Sequence, residues 1–372
     1  MKKIFGILSF MLCASPMVYA QADGIVSHGS SDVAMRLNGA TMGKVIDSGS
    51  CGKNVNYELY DDYTLRIFGN GAMYNFDYFY SGAELYPNVP WVSWISKIKS
   101  IVIEDGVTRI GSGAFMKCSS LTDVNISNSV KSIGGNAFAY CSSLEKIDIP
   151  NSVTSIGTGA FCFCSSLVEA NLQDGIVTIS ESAFSNCSSL AHVNIPNTIT
   201  SIGDSAFNGC SSLTELIIPD AVTSIGLGAF ANCNNLEYVK IGKGITTIND
   251  AIFLLYHADP NVKTVIEFTA ETPVTLADVV YFDQIATNNA FADPENVIIR
   301  VPETMLDYYR SAEDWSRYKE SFSGYRTTSI SSVDNGQSAM KADVVYDLQG
   351  RRVTEMLPDR IYIVNGKKVV NK

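Results

Sequence analysis

A 23-residue spacing dominates the middle of this sequence. Phenylalanine recurs at this interval from Phe115 to Phe253, and cysteine recurs at it from Cys118 to Cys233. A fixed period of this length is typical of solenoids, in which each short unit packs against the next. We therefore predict a repeat solenoid, because a unit this short cannot bury its apolar face alone.

One unit, residues 121–141, shows what each repeat is predicted to form. Its first residues, LTDVNI, fit the L-x-x-L-x-L strand signature of a leucine-rich repeat. Because side chains alternate along a strand, Leu121, Val124 and Ile126 should point inward. Asp123 and Asn125 should point outward, toward solvent.

The second half of the unit is predicted to turn the chain back toward the next strand. Gly134 and Gly135 should form a tight corner, since glycine accepts backbone angles closed to other residues. The residues from Ala137 to Cys141 should form a short helical or 3₁₀ turn, with Phe138 in the core. The predicted fold class is thus an α/β repeat solenoid with one short strand and one short helical turn per repeat.

The repeated pattern SIGxxAFxxCSSLxxVxIPxS resembles that of the BspA-like leucine-rich repeat family, over residues 101–260. The preceding segment CGKNVNYELYDDYTLRIFGNGAM resembles the N-terminal flank of that family. Near the C-terminus, YDLQGRRV and IYIVNGKKVV resemble a shortened sorting domain of the type IX secretion pathway. The resemblance implies a secreted or cell-surface protein that adheres to host matrix proteins, plasma glycoproteins or other bacteria.

Composition divides the rest of the chain. Lys2 and Lys3, an apolar run and the Val-Tyr-Ala ending at Ala20 are typical of a signal peptide and predict export. Cys13 leaves a lipoprotein alternative, although no small residues precede it. The predicted segments are a signal peptide at 1–20, a flexible spacer at 21–50, an aromatic-rich β-hairpin cap at 51–100, a solenoid of seven frames at 101–261, degenerate repeats and a C-terminal cap at 262–325, a linker at 326–342 and a β-hairpin for sorting or anchoring at 343–372.

Two predicted caps close the ends of the core. At the N-terminal end, alternating residues at 55–60 and 64–68 predict a hairpin, followed by an aromatic-rich stretch that includes Trp91 and Trp94. These two rings either cover the solenoid end or form a platform for sugars. At the C-terminal end we predict strands at 262–268 and 296–301, a helix through Tyr309, and helical spacing of Trp315, Tyr318 and Phe322.

The composition argues against several classes of function. A formal net charge of −11 disfavours nucleic acid and anionic membranes as partners. The cysteine column is predicted to consist of buried thiols rather than disulfides, because side chains in a ladder point the same way. The sequence shows no activated nucleophile, no metal-ligand spacing and no phosphate loop. We therefore predict no enzyme activity, no catalytic residues, no metal and no cofactor.

The remaining candidate is a surface. Solenoids bind partners through the exposed positions of their stacked strands, which predicts protein ligands for this chain. The predicted strand face consists of Asp123, Asn125, Lys146, Asp148, Glu169, Asn171, His192, Asn194, Glu215, Ile217, Tyr238 and Lys240. Its C-terminal end carries the exposed apolar and aromatic residues and is the favoured site. A carbohydrate-binding module and a structural spacer for display remain the alternatives.

Overall fold

The computed structural model describes residues 43–81, 84–249, 252–255, 263–277, 291 and 294–325, and short strand segments at 36–37, 40–41, 279–281, 284–286, 345–346, 352–353, 360–364 and 367–371. The chain forms two units, Met1–Lys44 and Val45–Lys372. In the first unit, β1 (Arg36–Leu37) pairs antiparallel with β2 (Ala40–Thr41). The predicted signal peptide and the predicted 326–342 linker lie outside the described residues.

The second unit begins with an antiparallel cap. Its strands are β3 (Val45–Gly52), β4 (Val55–Tyr60), β5 (Thr64–Gly69), β6 (Gly71–Ala72), β7 (Tyr78–Ser81) and β8 (Glu84–Pro87). The pairing of β4 with β5 confirms the predicted hairpin, and β5 then pairs in parallel with the first strand of the repeats. The cap therefore continues the solenoid sheet rather than merely covering its end.

The strand β3 corrects the predicted spacer, which was expected to extend from residue 21 to residue 50. Residues from Val45 onward pair with β4 in register, with Ser48 opposite Glu58. Only Cys51 and Gly52 of this strand are buried. Backbone hydrogen bonds rather than apolar burial therefore hold β3 in place, so its Gly/Ser-rich sequence gave no strand signal.

Each repeat contributes two strands, a longer one and a short one. The longer strands are β9 (Ser100–Ile103), β11 (Asp123–Ile126), β13 (Lys146–Asp148), β15 (Glu169–Asn171), β17 (His192–Asn194), β19 (Glu215–Ile218) and β21 (Tyr238–Ile241). The short strands are β10 (Val107–Ile110), β12 (Ser132–Ile133), β14 (Ser155–Ile156), β16 (Thr178–Ile179), β18 (Ser201–Ile202), β20 (Ser224–Ile225) and β22 (Thr247–Ile248).

Equivalent positions of successive repeats pair in parallel, as Ser100 with Asp123 and Ile133 with Ile156. The short strands β10 to β20 join β6 in one seven-stranded sheet. The longer strands form three hydrogen-bonded groups: β9 and β11 with the cap, β13 to β17, and β19 with β21 and the strands that follow. The 23-residue period thus sets the register of both rows.

The turn of each repeat differs from the predicted helical or 3₁₀ turn. Within one repeat, the Ala137 amide donates to the Gly134 carbonyl at 3.3 Å. The next amide bonds between repeats instead: the Phe138 amide donates to the Ala160 carbonyl of the following repeat at 2.8 Å. Asn136 has a positive φ of 53°, which a right-handed helix excludes. The turn is therefore a third ladder between repeats.

The corner glycine has a different physical role from the one predicted. Gly134 does not adopt a left-handed φ; instead, a Cβ added to it would lie 2.4 Å from the Ser112 amide nitrogen of the preceding repeat. The glycine is needed because two backbones approach closely. The left-handed conformation falls two residues later, at Asn136.

The core is built around an aromatic stack that runs along the solenoid. The repeat phenylalanines from Phe138 to Phe253 stack with ring centroids 5.2–5.4 Å apart. Trp91 stacks on Phe115 at the N-terminal end, at 5.8 Å. Phe291 continues the stack at the other end and contacts Trp315 at 5.9 Å. These rings are almost fully buried, so each end of the column is sealed by a tryptophan.

The C-terminal cap extends the longer row by three parallel strands, β23, β27 and β28. The elements are β23 (Thr264–Phe268), β24 (Thr275–Leu276), β25 (Val279–Tyr281), β26 (Gln284–Ala286), β27 (Val297–Pro302), α1 (Leu306–Ser311) and β28 (Phe322–Tyr325), with 3₁₀ helices at Pro294–Asn296, Glu303–Met305 and Ser316–Ser321 and another at Val92–Trp94 in the N-terminal cap. The predicted helix is thus a 3₁₀ turn followed by α1. Phe322, expected at helical spacing, instead begins β28.

The last strands form an antiparallel sheet in the order β30, β29, β31, β32. They are β29 (Val345–Tyr346), β30 (Arg352–Val353), β31 (Arg360–Val364) and β32 (Lys367–Asn371). Val364 pairs with Lys367, which leaves a two-residue connection at the predicted Asn-Gly turn. The sequence-based hairpin prediction is therefore confirmed for this pair of strands.

Candidate functional site

The cysteine column forms part of the core. Cys118, Cys141, Cys164, Cys187, Cys210 and Cys233 are free and fully buried. The Cys141 thiol donates to the Phe115 carbonyl at 3.2 Å, and the later cysteines repeat this contact. Burial raises the pKa of the Cys233 thiol to about 12. The Cys233 thiol therefore stays protonated at neutral pH, and a protonated thiol is a poor nucleophile and a poor metal ligand.

The described part of the chain shows no candidate metal site. There, no three His, Cys, Asp or Glu side chains lie together in an arrangement that could hold a metal ion.

The strand face falls into three groups that follow the strand pairing. Asp123 and Asn125 lie on β11 beside the cap strands. The middle group comprises Lys146, Asp148, Glu169, Asn171, His192 and Asn194 on β13, β15 and β17. The C-terminal group comprises Glu215, Ile217, Tyr238 and Lys240 on β19 and β21. All twelve predicted residues are exposed or half-buried, which agrees with the predicted outward orientation.

The middle group is an exposed network of charges that satisfy one another. The Lys146 ammonium lies 3.3 Å from Glu169 Oε1 and 3.6 Å from Asp148 Oδ1. The Asn171 amide donates to the same two carboxylates, and this hydrogen bond, with that of Lys146, lowers the pKa of Glu169. Exposed ion pairs of this kind stabilise a fold little, because water screens them. The group offers a polar rim rather than an apolar anchor.

The C-terminal group contains an exposed apolar residue. The Ile217 side chain is 47% exposed and is paired in register with Lys240. Beside it Tyr238 is half-buried, and burial together with the nearby Glu267 carboxylate raises its pKa. An apolar residue among aromatic and charged neighbours is the usual composition of a binding hot spot.

Two further strand-face residues, Glu267 and Arg300, were missed by sequence reasoning. Glu267 pairs with Lys240 and Arg300 pairs with Glu267, so the row continues into the cap. The Arg300 Nη1 atom lies 3.1 Å from Glu267 Oε2, and its guanidinium lies 5.6 Å from the Tyr325 ring centroid. The intervals of 27 and 33 residues that separate these three positions break the 23-residue period. The columns therefore could not be extended from sequence.

Trp91 is not a sugar platform in this fold. Its ring is fully buried between Tyr57, Phe76 and Phe115, and its Nε1 donates to the Ala114 carbonyl at 3.1 Å. The Trp91 ring ends the phenylalanine stack by packing on Phe115, which favours the interpretation of this segment as a cap. Trp94 is half-buried, and its Nε1 donates to Asp47 Oδ2 at 3.1 Å.

A different pair of aromatic rings is exposed, on the turn side of the solenoid. Tyr140 and Phe163 occupy the same repeat position and stack at 4.7 Å with planes 2° apart. They are 40% and 42% exposed, and their φ angles are 63° and 59°. We call this row the turn edge; its members are Lys117, Tyr140, Phe163, Asn186, Gly209 and Asn232.

The sequence held a signal for this pair that went unused. The later members of the turn edge are Asn186, Gly209 and Asn232, residue types that tolerate a left-handed backbone. Lys117, Tyr140 and Phe163 break that preference. Because the turn was expected to be helical, the position was not recognised as one that requires a positive φ.

Together, the parallel strand rows, the buried columns and the open faces define a leucine-rich-repeat solenoid. The family model described as BspA type leucine-rich repeat region matches in six copies, over residues 93–213 and 132–258. This part of the chain is similar to BspA-type leucine-rich repeats. No curated protein matches the sequence.

Several solved structures of bacterial repeat proteins are similar to this chain. A leucine-rich cell surface protein from Faecalibacterium prausnitzii is 23% identical, with a TM-score of 0.40, and covers 76% of this chain and 95% of its own. A T. pallidum leucine-rich repeat protein is 25% identical, with a TM-score of 0.35, and covers 59% and 85%. The pneumococcal vaccine antigen PcpA is 16% identical, with a TM-score of 0.33, and covers 77% and 98%.

Proposed function

We propose that this chain is an exported surface protein that binds other proteins through its strand face. The observation that carries the proposal is the C-terminal group, where exposed Ile217 lies among Glu215, Tyr238 and Lys240. Parallel pairing holds these side chains at fixed spacing, so a partner meets a preorganised surface and few groups lose freedom on binding.

The size of the face indicates how a partner would use it. The middle and C-terminal groups lie on five successive strands, β13, β15, β17, β19 and β21. At a spacing of about 4.8 Å these strands span only ~20 Å. A stable protein interface buries about 800 Å² on each partner. A partner anchored on the C-terminal group would therefore also contact the charged middle group. That arrangement gives an apolar centre beside a polar rim.

The class of partner and the location follow from the sequence and its family resemblance. The predicted signal peptide indicates export, and the family implies host matrix proteins, plasma glycoproteins or other bacteria as ligands. In the described residues, no helix is both long and apolar enough to span a bilayer. The antiparallel sheet from β29 to β32 is a candidate sorting or anchoring element, because YDLQGRRV and IYIVNGKKVV resemble the sorting domain of the type IX pathway.

Binding to a panel of immobilised matrix and plasma glycoproteins tests the proposal. The variant combines Glu215→Ala, Ile217→Ser and Lys240→Ala and leaves half-buried Tyr238 in place. The matched control combines Thr178→Ala, Ser201→Ala and Ser224→Ala on the short-strand sheet. We expect at least one protein to bind the native chain and the control, and to bind the strand-face variant at least tenfold more weakly.

The alternative outcomes are informative. Equal loss in the variant and in the control would place the binding site elsewhere. No binding to any member of the panel would favour a structural spacer that displays another element.

A further inference from the structure

A shallow groove runs beside the turn edge, on a different row from the strand face. Its volume is about 430 Å³. The rings of Tyr140 and Phe163 line it together with the hydroxyl-bearing residues Ser96, Ser119 and Ser142. The three serines are themselves one repeat apart, so the groove lies between two rows fixed by the solenoid register.

The two rings occupy positions where the backbone favours other residues. Both have φ near 60°, and the same position holds Asn186, Gly209 and Asn232 in later repeats. Neither Tyr140 nor Phe163 belongs to the buried core, since each residue is about two-fifths exposed. Residues held in a sparsely populated backbone region on the surface indicate function rather than packing.

Stacking fixes the rings before any ligand arrives. The Tyr140 and Phe163 planes are parallel within 2°. Among the described residues, Phe163 makes no second ring contact, so its other face is not stacked against another aromatic ring. A rigid aromatic surface of this kind loses little conformational freedom on binding.

We propose that this groove is a carbohydrate-binding site that takes one or two units of a neutral glycan. The C–H faces of a sugar pack on aromatic rings, while its hydroxyls hydrogen-bond to hydroxyl groups such as those of the serine row. Among the described residues that line the groove none is a carboxylate, and the charged one, Lys117, already places its ammonium 4.1 Å from the Tyr86 ring centroid. The volume suits a small ligand, whereas a protein partner needs about 800 Å² of its own surface buried. The site is independent of the strand face.

The test uses the full purified chain and a panel of soluble neutral oligosaccharides. The panel contains α-linked and β-linked glucans, galactans and N-acetylhexosamine oligomers. Binding is followed by saturation-transfer NMR and isothermal titration. The variants are Phe163→Asn and Tyr140→Asn, which install the residue found at this position in other repeats and therefore keep the fold. The control is Val177→Thr, which removes an exposed apolar side chain elsewhere and installs the residue found at positions 200 and 223.

We expect at least one oligosaccharide to bind the native chain and the control. Both asparagine variants should bind it at least tenfold more weakly. Their unfolding temperatures should equal or exceed that of the native chain. The proposal is overturned if no oligosaccharide binds, or if the asparagine variants bind as the native chain does. It is also overturned if the groove binds only peptides in a parallel screen. The strand-face variant should still bind the oligosaccharide, so failure of the proposed protein-binding function and failure of the glycan site can be told apart.

Discussion

At the scale of single residues, Phe161 and Phe163 show how one repeat uses the same side chain in two ways. Phe161 is fully buried and stacks on Phe138 and Phe184. Phe163, two residues later, is 42% exposed and has a positive φ. Both amides donate to the following repeat, that of Phe161 to the Ala183 carbonyl and that of Phe163 to the Ser185 carbonyl. The positive φ of Phe163, rather than the direction of its hydrogen bond, therefore distinguishes the two side chains.

The two phenylalanines should therefore respond differently to substitution. Phe161→Ala is expected to lower the free energy of unfolding by about 3–5 kcal/mol, because it leaves a cavity in the stack. Phe163→Asn should change it by no more than about 1 kcal/mol, since relief of the left-handed backbone offsets the lost stacking. Urea unfolding measures both values. A larger loss for Phe163→Asn than for Phe161→Ala would contradict the assigned register.

At the scale of the elements, three ladders connect each repeat to the next. The longer strands, the short strands and the turn each donate backbone hydrogen bonds to a neighbouring repeat. The short-strand and turn ladders bring backbones close at the corner glycine, where a Cβ on Gly134 would lie 2.4 Å from the preceding repeat. Close packing between repeats therefore favours glycine in this column, although Ser180 occupies the position in one repeat.

Adjacent glycines provide a matched test of that requirement. Gly134→Ala is expected to destabilise the chain by about 1–3 kcal/mol, because the new methyl group forces the neighbouring backbone to move. Gly135→Ala should destabilise the chain less. The atom nearest to its added Cβ, the Thr158 carbonyl oxygen, would be 3.2 Å away, compared with 2.4 Å for the nearest atom at Gly134. Thermal unfolding of the two variants compares them directly. Equal shifts would mean that ordinary glycine flexibility, and not close approach, explains the column.

At the scale of the whole molecule, one aromatic column runs through all repeats and needs both ends closed. Trp91 closes it at the N-terminal end and Trp315 at the C-terminal end, where its Nε1 donates to the Val274 carbonyl at 2.8 Å. Neighbouring repeats stabilise one another, so loss of an end should propagate inward.

Removing the C-terminal seal should show that propagation. Trp315→Ala is expected to cost about 3–5 kcal/mol and to lower amide protection first in the repeats nearest the C-terminus. Hydrogen exchange resolved by residue measures the order of opening. Uniform loss of protection along the chain would instead indicate a single cooperative unit.

The buried thiols make the stability of the whole solenoid depend on alkaline pH. Burial raises the pKa of Cys118, Cys141, Cys187, Cys210 and Cys233 in the folded chain, whereas an unfolded thiol titrates near about 8.5. Above that pH the unfolded state binds fewer protons than the folded state, so stability falls as pH rises.

The expected slope is about 1.4 kcal/mol per pH unit for each such thiol. Urea unfolding between pH 8 and pH 11 measures it. Cys187→Ala should reduce the slope, even though it also lowers stability at neutral pH. An unchanged slope in this variant would show that the thiol is already ionised in the folded chain.

The sequence by itself determined the parts of this protein that repeat. The 23-residue columns specified the strand rows, the buried Phe, Ile and Cys positions and the outward strand residues, because a solenoid gives each column one environment. The hairpin of β4 and β5 was also readable from local alternation. These features depend on contacts whose spacing along the chain is constant.

Only the tertiary structure decided the features that break the period. The intervals between Lys240, Glu267 and Arg300 are unequal, so their alignment in one row depends on how the cap folds back. Trp91 is buried because the phenylalanine stack needs an end. The positive φ of Tyr140 and Phe163 follows from the turn ladder between repeats, a long-range hydrogen-bond pattern that these two residues do not reveal by their own type.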